Sequence, residues 1–140
     1  MLPWMNKRFA GVKRTAHAAH KAGSQNKTEA AYAAHLERLR MGGRVAAWWF
    51  EPFALVISHG NACRYTPDFL VQRPDGVLEI HEVKGSKKDK ETGAAVPIIE
   101  EDSLVKVKAA AEIFPFVVRL VWPEDRAMTL WGRRCYTVEK

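Results

Sequence analysis

Three side chains on two neighbouring segments have the types and spacing for one piece of chemistry. Asp68 stands in YTPDF, and Glu82 and Lys84 stand in VLEIHEVK, fourteen and sixteen residues on. If VLEIHEVK is a strand, residues two apart share a face, so Leu78, Ile80, Glu82 and Lys84 line up together. Two apolar residues followed by an acid and a lysine describe a core-facing side whose end carries charge. On the preceding strand Thr66, Asp68, Leu70 and Gln72 share a face, so Asp68 can stand beside Glu82. Charge on such a face is costly unless it is paired or bound to a metal. Glu29 opens a helical stripe with Tyr32, Leu36 and Leu39, which aims its carboxylate at the sheet. Three converging carboxylates suit a hard cation, Mg²⁺ with Mn²⁺ as a substitute. Lys84 beside them could orient a water or steady charge building on a phosphate.

These residues need elements to hold them. Thr28 is expected to cap a helix over Glu29–Met41 that Gly42-Gly43 ends. The runs AAWWFEPFALVIS, YTPDFLVQR and VLEIHEVK read as three or four strands, mostly antiparallel. Turn signals separate them at Gly60-Asn61 and at Pro74–Gly76, the latter a tight hairpin. Residues 85–101 read as an exposed loop, 104–114 as a helix behind Ser103, and 116–122 as an apolar strand. A short last strand is expected at 128–131. The order predicts an α/β fold, a central mixed β-sheet flanked by α-helices.

YTPDF, a hairpin and then EVKG together resemble the PD-(D/E)XK nuclease superfamily. Pro67-Asp68 stands at its first acidic position, Glu82-Val83-Lys84 matches its (D/E)-X-K triplet, and Glu29 fits its helical glutamate. The resemblance covers roughly residues 28–131 and implies a restriction-endonuclease-like core, αβββαβ. It implies that Asp68 and Glu82 hold Mg²⁺, with the Val83 carbonyl as a further ligand and Glu29 completing the site directly or through water. Lys84 would assist the attacking water, and the reaction would be DNA phosphodiester hydrolysis. Chance E-X-K triplets are common. The plain alternative is a sheet edge with an ordinary Glu–Lys pair and Asp68 as a turn residue. It leaves unexplained why the charges share a face with Leu78 and Ile80.

Charge supplies the partner. The chain of 140 residues carries a net +6. All of it lies in residues 1–27, through Lys7, Arg8, Lys13, Arg14, Lys21 and Lys27 with no acid, while residues 28–140 hold 16 of each sign. Residues 1–27 therefore read as a basic flexible arm, with a short helix over 12–21, ahead of one nuclease-like domain at 28–140. Such an arm suits DNA, because neutralised phosphates release counterions; the bland alternative is a solubilising tail. Lys87, Lys88 and Lys90 follow the site and divide evenly between a solvated run and backbone contacts. His17 and His20 lack a third metal ligand and read as arm residues. His81 alternates to the face opposite Glu82, and Trp48 and Trp49 read as core or interface aromatics rather than base-stacking platforms.

No apolar run reaches the roughly 18 residues of a membrane span, and the start lacks a secretory signal's apolar stretch. Cys63 and Cys135 lack metal spacing and read as free thiols of a reducing cytoplasm, bacterial or phage-encoded. With no glutamine after Gln72, the exonuclease-type Q-x-x-x-Y element is missing. A small nuclease with a basic arm is similar to Holliday junction resolvases and phage structure-selective endonucleases, which implies a homodimer cutting branched DNA, with residues 48–53 at the interface. The alternatives are a sequence-specific restriction-like or transposase-type endonuclease, or a catalytically idle DNA-binding member of the fold.

Overall fold

The computed structural model describes residues 25–58, 63–131 and 136–138. Most of the basic arm, with its expected helix, His17 and His20, lies outside the described residues, as do the Gly60-Asn61 turn and Cys135. Helix α1 spans Lys27–Met41. Its cap is Asn26 rather than Thr28: the Asn26 side chain accepts from Glu29 N at 2.8 Å, and Asn26 N donates to Glu29 Oε2 at 3.0 Å. This reciprocal box satisfies two amides that a helix start leaves orphaned. Gly42 closes the helix, and Gly43 follows at φ 74°, a conformation that favours glycine.

Strands β1 (Ala47–Phe50), β4 (Phe69–Gln72), β5 (Leu78–Val83), β8 (Val117–Val121) and β9 (Tyr136–Thr137) form one sheet in the order β1-β4-β5-β8-β9. The β1–β4, β4–β5 and β8–β9 pairs are antiparallel, and β5–β8 is parallel. Helix α2 (Glu101–Ile113) makes the crossover that a parallel pair requires. Two ribbons stand apart, β2 (Leu55–Val56) with β3 (Arg64–Tyr65), and β6 (Ser86–Lys88) with β7 (Ala95–Pro97). The expectation of a mixed α/β fold with helices on a mixed sheet holds.

Alternation along the strands sends side chains to two cores. Tyr32 and Leu36 of α1 pack with Trp48, Phe50, Phe69, Val71 and Val121 on one face. Val107, Ala110 and Ala111 of α2 pack with Leu70, Ile80, Val118 and Leu120 on the other. The sheet is thus covered on both sides. Trp48 and Phe50 are buried within the chain, so they are not the exposed interface expected of residues 48–53. The Trp48 indole also donates to Glu37 Oε2 at 2.9 Å.

Three other expectations need correction. Residues 85–101 are not only loop, since β6 and β7 pair there; Ile98 N bonds to Gly85 O, and Trp122 Nε1 pins Ala95 O. Helix α2 begins at Glu101, ahead of Ser103, with Glu101 and Asp102 favourably placed in its first turn. Residues 128–131 form no strand: Asp125 accepts from the amides of Thr129 and Leu130, and Met128 takes φ 56°. That closed turn uses the amides a strand would need, and β9 at 136–137 takes the edge instead. Among the described residues no helix is long and apolar enough to cross a membrane.

Candidate active site

The hairpin at residues 73–77 sets the register that builds the site. Gly76 at φ 88° makes the tight turn, and Arg73 N bonds to Val77 O. Phe69 then faces His81 across the ladder, so the next residue back, Asp68, stands opposite Glu82. Asp68 Oδ2 accepts from Val83 N at 2.8 Å, tying the end of β5 to the start of β4. On the other flank Glu51 N donates to Asp68 O at 2.8 Å from a left-handed backbone at φ 42°. Lys84 N bonds to Val121 O on β8. Because the N–H and C=O of a trans peptide unit point in opposite directions, the Val83 carbonyl is directed away from β8, to the side of Asp68.

Glu82 is buried, and each of its oxygens has a contact. Oε2 accepts from the Tyr65 hydroxyl at 2.5 Å, and Oε1 lies 3.5 Å from Lys84 Nζ. Lys84 Nζ also donates to Ser103 Oγ of α2 at 2.6 Å. Neither Tyr65 nor Ser103 carried a signal in the sequence. Tyr65 belongs to a ribbon outside the main sheet, and Ser103 arrives from a helix nineteen residues after Lys84. Strand alternation reaches neither.

Electrostatics mark the pair out. Burial pushes the Asp68 carboxyl well above its usual range, and the Glu82 charge adds to the effect. Burial likewise raises Glu82, against the opposing pull of Tyr65 and Lys84. Tyr65 is held neutral, first by burial and then by the charge of Glu82. One lysine beside buried Glu82 and half-buried Asp68 does not offset both charges, so both carboxyls hold their protons more tightly.

Glu29 is only partly where the helical stripe predicted. Its charge is near enough to raise Asp68 further, but Oε2 belongs to the capping box. Among the described residues no group of three or more His, Cys, Asp or Glu side chains is arranged to hold a metal ion. The acids that do come together are the pair Asp68 and Glu82. Lys87 and Lys88 project from β6 and Lys90 from the turn that follows, all exposed, beginning three residues after Lys84. Lys27 is exposed at the start of α1, while Lys7, Arg8, Lys13, Arg14 and Lys21 lie outside the described residues.

No family model, no curated protein and no solved structure matches this chain, which leaves the geometry itself to carry the functional reading.

Proposed function

We propose that the chain is a Mg²⁺-dependent DNA endonuclease of the PD-(D/E)XK type, with Asp68, Glu82 and Lys84 at its centre. The observation that carries this reading is the apposition of half-buried Asp68 and buried Glu82, two carboxylates with raised proton affinity beside Lys84. The element order supports it: α1, then β1, β4 and β5 in antiparallel sequence, then α2 and the parallel β8. With the two ribbons set aside, that order is compatible with the αβββαβ core that the PD-(D/E)XK resemblance implies.

The donor set fits a hard cation. Asp68, Glu82 and the Val83 carbonyl offer oxygen only, and Glu29, whose charge reaches Asp68, would complete the set directly or through water. A bound Mg²⁺ would supply Lewis-acid stabilisation of the phosphate and activation of water. Tyr65 fixes one oxygen of Glu82 and so limits which way the carboxylate turns. Lys84, braced by Ser103, keeps an ammonium next to the place where charge builds on the phosphate. Water attacks phosphorus and the P–O3′ bond breaks, leaving a 5′-phosphate and a 3′-hydroxyl. Lys87, Lys88 and Lys90, with the arm from Lys7 to Lys27, would hold the DNA backbone. A homodimer acting on branched DNA is the leading form, since cutting two strands calls for two sites.

The test is a Mg²⁺ and Mn²⁺ cleavage assay of parent and Glu82→Ala protein on linear, flapped and four-way DNA. Metal-dependent cutting by the parent, lost in the variant, is expected. Equal cutting by both sinks the assignment, and equal cutting of duplex and four-way DNA sinks the branched preference.

A further inference from the structure

On the opposite face of β5, directly behind Glu82, runs a buried polar chain that the proposed chemistry does not use. Tyr32 OH lies 2.6 Å from His81 Nδ1, and His81 Nε2 lies 2.8 Å from Glu79 Oε2. Arg119 of β8 approaches Glu79 Oε1 at 3.2 Å, and Arg73 stands 3.7 Å from the same oxygen. An ionised Glu79 can only accept, so His81 Nε2 donates to it, and Nδ1 is left to share a hydrogen bond with the Tyr32 hydroxyl. The Tyr32 ring is wedged as well, 5.3 Å from Phe69 and 4.8 Å from Trp131 between centroids.

The position of each end gives the chain its consequence. His81 immediately precedes Glu82. Tyr32 follows Glu29 by three residues, one turn of the helix, so whatever fixes the Tyr32 hydroxyl also fixes the first turn of α1. Apolar packing alone tolerates sliding and rotation of a helix on a sheet. A buried hydrogen bond does not, because moving off it leaves a polar atom unsatisfied.

We propose that Tyr32, His81 and Glu79 form a buried lock joining α1 to β5, which sets the first turn of α1, and with it Glu29, in place relative to Asp68. Tyr32 and His81 are positioning residues in this account, which rests on the proposed metal site for its consequence but not for its existence. The lock acts through the backbone of the first helical turn and through the shared strand.

The full-length Tyr32→Phe protein keeps the ring and loses only the hydroxyl. Below the melting midpoints of both proteins, three quantities are measured: Mn²⁺ affinity by calorimetry, amide hydrogen exchange across residues 29–33, and DNA cleavage. Exchange about tenfold faster, Mn²⁺ affinity about tenfold weaker and an unchanged KM for DNA are expected. His81→Gln should move the same quantities in the same direction; if it fails to fold, Tyr32→Phe decides alone. A lowered melting temperature with unchanged exchange and Mn²⁺ affinity overturns the lock, making the chain merely a satisfied core network. If the parent binds no Mn²⁺, the proposed function falls while exchange still decides the lock. If it binds Mn²⁺ without cutting DNA, the nuclease reading alone falls.

Discussion

Glu79 and Glu82 lie three residues apart on one strand, and both are buried, at 6% and 7% exposure. Their proton affinities nevertheless move in opposite directions. Burial raises both, but hydrogen bonds from His81 and Arg119 bring Glu79 down to about 2. Glu82 has Lys84 and Tyr65, yet burial outweighs both and its affinity stays raised. Strand parity sends Glu79 to a face where two arginines and a histidine answer it, and Glu82 to a face where another acid meets it. Glu79 is fully paired where it is buried; Glu82 is the one whose surroundings leave room for the proposed cation.

The largest expected effect breaks the Glu82 side of this contrast. Asp68→Ala, Glu82→Ala and Lys84→Ala should each lower metal-dependent cleavage by at least about 10²-fold, read by single-turnover kinetics, while the circular dichroism spectrum is retained. An active Lys84→Ala protein would reduce Lys84 to a structural partner of Ser103.

On the Glu79 side the loss should be one of stability. Arg119→Leu takes away the nearest guanidinium from a buried, ionised carboxylate and should cost about 2 kcal/mol in urea unfolding. That is less than for a wholly buried pair, because Arg119 is partly exposed and Arg73 stands nearby. An unchanged unfolding midpoint would show that Arg73 and His81 suffice.

The pH dependence sharpens the same comparison. A carboxyl whose folded affinity is raised favours the folded state at low pH, and the advantage fades as pH climbs from the unfolded value near 4 through the raised one. For Asp68 that window reaches about 8. The metal-free protein should therefore melt lower at pH 8.5 than at pH 6, and millimolar Mg²⁺ should narrow the gap. Asp68→Asn should flatten the profile and leave the melting temperature at pH 8.5 at or above the parent's. Glu79 has the opposite sign: its contribution is present above its unfolded value near 4.5 and is lost as pH falls through about 2.

The smallest effect lies away from both glutamates. Trp48→Phe removes the indole donor to Glu37 and should cost about 1 kcal/mol with cleavage unchanged.

Much of the site was legible because it depends on local rules. A period of two placed Asp68, Glu82 and Lys84 on one face. The Pro74–Gly76 turn held the register, since a slip by one residue would have sent Glu82 to the helix α1 side. His81 was expected on the opposite face and is there, buried in a polar chain. The helix start moved by two residues because the box between Asn26 and Glu29 satisfies more amides than Thr28 alone could.

By itself, then, the sequence determined the alternation of strand faces, the hairpin, the two helices and the three charged residues that converge, each read from the pattern of a short stretch of chain. Only the tertiary structure decided that Tyr65 grips Glu82, that Ser103 braces Lys84, and that Tyr32 reaches His81. Those contacts join a separate ribbon and two helices to the sheet across 17, 19 and 49 positions. No local periodicity records such a distance; it is fixed by where packing two apolar helix faces on one sheet brings the polar side chains at their margins.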